Sequence, residues 1–443
     1  MKKILITLVV AAVLAGASVI TASAANYEQS AEQLNALGLF RGTDAGYELD
    51  RAPTRAEAVT MLVRFLGLEE ESKSGEYAHP FTDVPTWADE AVAIAYEKGY
   101  TTGVSDTTFD PHGTCSAQMY ATFILRALGY SDESVKSTLW EDAIEFGKQV
   151  GIIDDTILTG TFLRGNMTAV SYLALIAAPQ DSDFDTLLEK LVADGAVDET
   201  TAILVATWLA QLDDFNNIMA ETTKETSIAA TITMKLDAED GDKDISSSVI
   251  IDMAINTDDN DLSLALAMTM DDEVEETYIT NGYLYTSSNG EKIKIPLEIL
   301  VGAGLEDVLS FTQIINIPPT PPYLISHVGI KTQGESVIYS IEVTGGPLVE
   351  LMNQIFTAFG GNLNIGEFSD MLDDNIVMTF SADGDNVPTS FSISATLKSS
   401  TISGTITFEV EFTAFGSDVK IDFPDDLDSY IDMSAMMAAL GVS

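Results

Sequence analysis

Apolar residues recur at two different spacings in the two halves of the chain. In the first half they fall three or four residues apart, as in the stretch 59–66, which is the spacing of one face of an α-helix. After residue 220 they alternate with polar residues, as in 228–236 and 249–255, which is the spacing of a half-buried strand. The pattern therefore predicts a multidomain α + β chain, with an all-α part first and an antiparallel sheet after it.

Three segments of the helical half align with one another: residues 35–68, 81–130 and 139–178. Each segment predicts a helix that ends at a glycine, a short loop and a second helix. The three glycines, which suit the left-handed conformation in which many helices end, are Gly38, Gly99 and Gly151. Because one pair of helices cannot bury its apolar face alone, the three repeats are expected to pack together.

The second helix of the first repeat begins with a charge in an unfavourable place. Thr54 and Glu57 have the spacing of a capping box. Arg55 therefore lies in the first turn, where a cation meets the positive end of the helix dipole at a cost of about 0.3–1 kcal/mol. Arg164 holds the matching position in the third repeat, whereas in the second the matching residues are Cys115-Ser116-Ala117-Gln118, so the position, at Ser116, has lost its charge. Free backbone N–H groups beside a guanidinium would hold a carboxylate or phosphate, whereas the alternative is an exposed arginine paired with a nearby acidic residue.

Four short motifs accompany these helix starts. They are F-T-D-V at 81–84, Gly99 with Gly103, F-D-P at 109–111, and T-R-A-E at 54–57. With these motifs, the region of about residues 26–200 resembles the S-layer homology family. The resemblance implies a three-pronged helical spindle that binds secondary cell-wall polysaccharide without a covalent bond, commonly through pyruvylated sugars.

The resemblance also implies which residues hold the polysaccharide. Arg55 and Arg164 would grip the pyruvyl carboxylate, and Asp83 and Trp87 would lie near a groove, although a partly buried core position is the alternative for Trp87. The full candidate set is Thr54, Arg55, Glu57, Asp83, Trp87, Gly99, Gly103 and Arg164. No repeat carries every motif: the first lacks the F-x-D-V start, the second lacks the arginine, and the third has Asp155 in place of its second glycine. At most two of the three grooves are therefore expected to bind.

Charge and the N-terminal residues narrow the class of protein. The formal net charge is −48, so the chain should repel nucleic acid and anionic lipid surfaces, and neither is expected as a partner. The single cysteine, Cys115, rules out an internal disulfide. Residues 1–25 have two lysines, an apolar run and small residues that end in A-S-A-A, which is typical of a secretory signal peptide. No later run predicts a membrane span, so an exported protein is expected. The resemblance to the S-layer homology family implies that this protein lies at the cell wall of a bacterium.

Short strands separated by charged turns continue through the second half. The Asn-Gly pair at 281–282 predicts a hairpin, and a further strand is expected at 419–423. Two helices are expected within 297–315 and 347–359, and methionines on the strands, Met270 among them, are expected to face the core. This meander resembles the LolA/LppX-like lipoprotein fold, which implies a curved half-barrel with inserted helices around a lipid or other apolar ligand.

The acidic turns of the second half suggest one metal. The stretch 237–244 is rich in carboxylates and leaves Ca²⁺ open as a cofactor, although its spacing is not that of an EF-hand loop. The alternative is a solvated acidic surface. No other cofactor is expected.

The predicted domains follow from these patterns. They are a signal peptide at 1–25, repeats at 26–75, 76–132 and 133–200 with a trailing helix, a helical linker at 201–220, and a sheet domain at 221–443. Because no catalytic motif occurs, an enzyme is not expected. The leading hypothesis is a wall-anchored protein whose sheet domain binds an apolar ligand. The alternatives are a structural surface-layer or display protein without a ligand, and a carboxylate-dependent glycosidase.

Overall fold

The computed structural model describes residues 27–135, 137–158, 160–222, 225–240, 243–256, 262–270, 273–288, 290–300, 321–334, 336–344, 372–398 and 402–434. The predicted signal peptide lies outside these residues, as do the acidic loop 257–261, the part of the first predicted inserted helix at 301–315, and the whole of the second at 347–359. The described residues form two units. The helical unit holds residues 27–210 and 321–324, and the sheet unit holds the others.

The first half of the chain is helical, as its apolar spacing predicts. Its helices are α1 (Glu28–Ala36), α2 (Arg55–Phe65), α3 (Glu69–Ser72), α4 (Asp89–Glu97), α5 (Ala117–Ala127), α6 (Leu139–Val150), α7 (Arg164–Ile176), α8 (Leu187–Ala193) and α9 (Glu199–Thr222). Gly38, Gly99 and Gly151 follow α1, α4 and α6 with φ of 77°, 76° and 86°, as predicted for left-handed helix ends. Within the part of the chain that the structure describes, no helix combines the length and apolarity needed to cross a membrane.

Helices of different repeats pack against one another. The first helix of each repeat contacts the second helix of another: α4 contacts α2, α6 contacts α5, and α1 contacts α7. The second helices also meet, α2 with α5 and α5 with α7. Buried polar groups join them, since Tyr120 Oη lies 2.7 Å from Ser171 Oγ, and Ser30 Oγ lies 2.8 Å from Thr168 Oγ1. The apolar face predicted for α2 is buried, with Val59, Leu62 and Val63 in the core.

The second half forms one sheet of twelve strands. They are β1 (Ser227–Asp240), β2 (Lys243–Asn256), β3 (Ser263–Met270), β4 (Glu273–Thr280), β5 (Tyr283–Ser288), β6 (Glu291–Pro296), β7 (Ile325–Gln333), β8 (Ser336–Thr344), β9 (Leu372–Ala382), β10 (Pro388–Lys398), β11 (Ile402–Phe415) and β12 (Ile431–Asp432). A short helix, α10 (Leu297–Leu300), follows β6. The strand order is β12-β6-β5-β4-β3-β2-β1-β11-β10-β9-β8-β7, and every pairing is antiparallel except that of β12 with β6.

Alternation of apolar and polar residues sets the register of the sheet. Ile232 on β1 lies opposite Ile251 on β2 and Val410 on β11, and all three side chains are buried on one face. The Asn281-Gly282 turn joins β4 to β5 as predicted, with both residues at positive φ. The sequence therefore predicts an antiparallel sheet correctly where strands alternate clearly. It missed β6, β7 and the two-residue β12.

Two expectations for the sheet unit are wrong. Residues 419–423 form no strand; they follow β11, which already pairs along both edges, with β1 and with β10. Instead, Phe423 packs edge-on against Tyr278, with ring centroids 6.3 Å apart. Met270 is exposed at the end of β3 and does not face the core.

Candidate anion-binding site of the helical unit

The helix start at Arg55 is fixed by the predicted capping box. Glu57 N donates to Thr54 Oγ1 at 3.3 Å, and Thr54 N donates to Glu57 Oε2 at 2.8 Å. Two of the residues proposed for polysaccharide binding therefore define where α2 begins. This cap positions Arg55 as the first residue of the helix.

The remaining N–H groups of this helix start are already in use. Arg55 N donates to Gly113 O at 2.8 Å, and Ala56 N donates to Pro111 O at 3.1 Å. The expectation of free backbone N–H groups for an anion is therefore wrong. The loop of the second repeat turns its carbonyl groups toward the helix, and those carbonyls satisfy the groups that a helix leaves unpaired.

The Arg55 side chain lies buried against the same loop. It is 4% exposed, and its Nε donates to Phe109 O at 2.9 Å. Its guanidinium carbon lies 5.1 Å from the centre of the Phe109 ring, and Nη1 lies 3.3 Å from Met119 Sδ. Burial lowers the pKa of Arg55 from its usual value.

Arg164 repeats this arrangement at the start of α7. It is 6% exposed, and its Nε donates to Tyr47 O at 3.1 Å. The guanidinium carbon lies 5.9 Å from the centre of the Phe40 ring. The backbone matches too, since Arg164 N donates to Arg51 O and Gly165 N donates to Leu49 O, both at 2.9 Å. Burial likewise lowers the pKa of Arg164.

Neither buried guanidinium has an anionic partner in the described part of the chain. No described carboxylate oxygen lies within 4.0 Å of Arg55 or Arg164. The alternative of a paired surface arginine instead describes Arg51, whose Nη2 lies 2.9 Å from Glu57 Oε1 and 3.2 Å from Glu48 Oε2. Arg55 and Arg164 are thus held by carbonyl groups and aromatic rings, with part of their hydrogen-bonding capacity unused.

Asp83 shapes the loop that receives Arg55. Its Oδ1 accepts from Phe109 N and its Oδ2 from Asp110 N, each at 2.8 Å. Asp110 has a φ of 59°, and this left-handed turn aims Phe109 O at the guanidinium. Because both oxygens of Asp83 bind the loop, we interpret it as a positioning residue.

The other candidate residues of the second repeat differ in placement. Gly99 ends α4, and Gly103 lies against Phe81, where an added Cβ would come within 2.3 Å of the ring. Trp87 is 58% exposed, so it is not a core residue. Its indole is available to stack on a sugar ring.

The second repeat has the same helix start without the charge. Ser116 Oγ accepts from Met119 N at 3.2 Å, so Ser116 is the cap that matches Thr54. The alignment of Ser116 with Arg55 is therefore wrong by one residue, and Ala117 takes the place of the arginine. Gln118 Nε2 donates to Trp140 O at 2.7 Å. Burial raises the pKa of the Cys115 thiol to about 12, so this cysteine is a small core residue and not a reactive thiol.

No metal centre emerges from the described residues. Among them, no group of three or more histidine, cysteine, aspartate or glutamate side chains is placed to hold an ion. The acidic stretch 237–244 forms the ends of β1 and β2, and its residues 241–242 lie outside the described part.

One known protein family matches this region of the chain. The S-layer homology domain model matches residues 80–116, a segment that begins just before Asp83 and ends at the start of α5. The chain carries an S-layer homology domain. Asp83, which accepts hydrogen bonds from the loop, and Phe109, whose carbonyl accepts from Arg55, both lie inside this domain.

Curated relatives match over a limited length. The middle cell wall protein of Brevibacillus brevis is 35% identical over 123 residues, which are 27% of this chain and 12% of that protein. An endoglucanase of a Bacillus species is 33% identical over 106 residues, which are 21% of this chain and 11% of the enzyme. The chain therefore spans only a small part of the relatives that it matches.

Solved structures that align with the chain include a putative outer membrane lipoprotein-sorting protein domain from Vibrio parahaemolyticus. The alignment covers 49% of this chain and 96% of that domain, with 8% sequence identity and a TM-score of 0.18.

Proposed function

We propose that this protein is held at the bacterial cell wall by secondary cell-wall polysaccharide, whose acidic groups bind at Arg55 and Arg164. The observation that carries the proposal is the pair of buried guanidinium groups without a carboxylate partner among the described residues. The S-layer homology domain and the match to a cell wall protein indicate a secreted, wall-associated protein.

The chemistry of the two sites suits a carboxylate. Burying a cation without a counter-ion costs free energy, and each arginine recovers only part of that cost from one carbonyl and one ring. A carboxylate on the glycan, such as that of a pyruvyl group, would accept the remaining N–H donors in charge-assisted hydrogen bonds. Because the backbone N–H groups are occupied, the guanidinium supplies the attraction. The exposed indole of Trp87 offers a surface on which a sugar ring would stack.

A sedimentation assay with purified cell walls tests the proposal. The variant Arg55→Ala/Arg164→Ala should lose most of its wall binding, by about tenfold to a hundredfold, since a hydrogen bond to a charged group contributes about 1.5–3 kcal/mol. The matched control Arg41→Ala/Lys73→Ala removes the same charge from side chains that pair with Glu69 and Glu70, and it should bind walls as the wild type does. Undiminished binding of the first variant would overturn the proposal. Walls stripped of pyruvyl groups by mild acid show whether that carboxylate is the one bound.

For the sheet unit, we propose that it presents an apolar face and that this face binds a lipid or another apolar ligand. It is supported by the continuous row of buried side chains across five adjacent strands, which is formed by Ile251, Ile232, Val410, Phe391 and Phe380. Organic extraction of the purified full chain, followed by mass spectrometry, should recover a stoichiometric apolar compound. Recovery of none would favour the alternative of a structural surface protein without a ligand.

A further inference from the structure

A pocket of ≈ 470 Å³ lies within the helical unit, away from both arginines in sequence. It is lined by α7, α8 and α9, and the apolar residues among its lining include Leu175, Leu188, Val192, Ala202, Ala206 and Leu209. This volume falls in the range of sites for small molecules, which are about 300–1,000 Å³. Arg164 begins α7, and the pocket lies at the other end of that helix, where Leu175 and Ile176 line it.

Apolar side chains at its mouth remain in contact with solvent. Ile203 lines the pocket and is 56% exposed, while the adjacent Leu204 is 68% exposed. Ile176, on the opposite wall, is exposed as well. An isolated exposed leucine has no special meaning, but apolar exposure gathered around a concave apolar surface is typical of a binding site.

The charges that line the pocket are all negative. Glu189 on α8 and Glu199 on α9 line it, and neither lysine nor arginine does. Glu189 Oε2 accepts from Asp185 N at 3.0 Å, which leaves its other carboxylate oxygen for a ligand. The two carboxylates would repel an anionic lipid, an acidic glycan or a second copy of the same rim.

We infer that this pocket binds a small amphiphile with an apolar chain and one cationic group, such as an ammonium. The chain would fill the space between the three helices and cover Ile176 and Ile203. The cation would lie between Glu189 and Glu199. This site is independent of the proposed wall-binding arginines, because an acidic polysaccharide carries the opposite charge.

Calorimetric titration of the full chain with three ligands of equal chain length tests the inference. Decyltrimethylammonium, decyl sulfate and decyl maltoside are compared below their micellar concentrations. We expect a saturable site that prefers the cationic ligand by about tenfold, the size expected for two partly exposed charge pairs. Equal affinity for the three head groups, or no saturation, would overturn the inference.

Two variants separate the pocket from nonspecific adsorption. Glu189→Gln/Glu199→Gln should abolish the preference for the cation while the apolar ligands still bind, whereas Glu90→Gln/Glu145→Gln, which changes two exposed carboxylates elsewhere on the unit, should leave it unchanged. Ala206→Phe should fill the pocket and abolish binding of all three ligands, with thermal melting used to verify its fold. Retained binding by Ala206→Phe, or a dimer that this substitution disrupts, would also contradict a small-molecule site.

Discussion

Arg55 and Arg164 begin equivalent helices and yet have different electrostatic surroundings. Around Arg55 the nearby carboxylates are those of Asp110 and Asp83. Around Arg164 the carboxylates of Glu57 and Glu48 are accompanied by the guanidinium groups of Arg51 and Arg64. The repeat therefore preserves the helix start and the carbonyl acceptor, while the neighbouring loop decides the local charge.

The comparison indicates which site attracts an anion more strongly. At Arg55 an incoming carboxylate meets repulsion from Asp110 and Asp83. At Arg164 the extra positive charges of Arg51 and Arg64 offset the two glutamates. We therefore expect the two sites to contribute unequally to wall binding, and Arg164 to contribute more.

The largest expected effect is that of Arg164→Ala. It should lower the affinity for purified walls by about tenfold to a hundredfold, and Arg55→Ala should lower it several-fold less, because only the former removes a charge-assisted contact in a neutral surrounding. Sedimentation with walls, at one fixed salt concentration, measures both. Equal losses, or a larger loss with Arg55→Ala, would contradict the ranking.

The sequence predicted the helix starts of this site but not the carbonyl groups that accept hydrogen bonds from the arginines. The capping box of Thr54 and Glu57 and the shared helix start of Arg55 and Arg164 depend on residues within one turn, so they can be read directly from the chain. The acceptors cannot, since Phe109 O and Tyr47 O lie 54 and 117 residues away from the arginines that they bind. Every residue type has a backbone carbonyl, so the sequence does not indicate which carbonyl accepts a hydrogen bond. In the structure, each acceptor is followed by a residue with positive φ, Asp110 in one loop and Glu48 in the other.

The fold shows the same division. Strands with strict alternation are correctly predicted, whereas 419–423 alternates equally well and forms no strand. Pairing partners are a property of the whole sheet, so alternation alone could not exclude that strand. The rings of Tyr323 and Tyr27 are in contact, with centroids 5.8 Å apart. Because these residues lie nearly 300 positions apart in the chain, local sequence patterns could not predict this contact either.

Arg51→Ala sharpens the comparison further. In an Arg55→Ala background it should lower wall affinity several-fold, because it removes positive charge beside Arg164 and leaves Glu48 and Glu57 unpaired. In an Arg164→Ala background it should change little. A double-mutant cycle on wall affinity measures the coupling, and equal effects in the two backgrounds would show that Arg51 does not assist Arg164.

Acid should weaken the loop that holds Arg164. Burial alone would raise the pKa of Glu57, but hydrogen bonds from Arg51 and from Thr54 outweigh it and hold the pKa at about 2. The stabilisation that follows from a lowered pKa is complete above the unfolded value of about 4.3 and is lost as the pH falls toward 2. Glu57→Gln should remove this dependence, worth about 1–2 kcal/mol after solvent screening, as measured by thermal unfolding between pH 7 and pH 3. A Glu90→Gln control, on the exposed face of α4, should keep the wild-type slope.

The smallest expected effect on wall binding concerns Tyr323, a residue that lies between β6 and β7 in the chain and belongs to the helical unit. Tyr323 is fully buried there, packs on Tyr27 and donates through its hydroxyl to Asp154 Oδ2 at 2.5 Å. Tyr27 in turn accepts from Asn166 and lies against Gly165, in the first turn of the Arg164 helix.

Tyr323→Phe should cost about 1 kcal/mol of unfolding free energy, because it removes one hydrogen bond while keeping the ring. Tyr323→Ala should cost about 3–5 kcal/mol, as expected for a deleted core aromatic, and should weaken wall binding in an Arg55→Ala background more than in an Arg164→Ala background. Denaturant unfolding and wall sedimentation on the same preparations test both effects, and a binding loss that is independent of the background would separate Tyr323 from the Arg164 site.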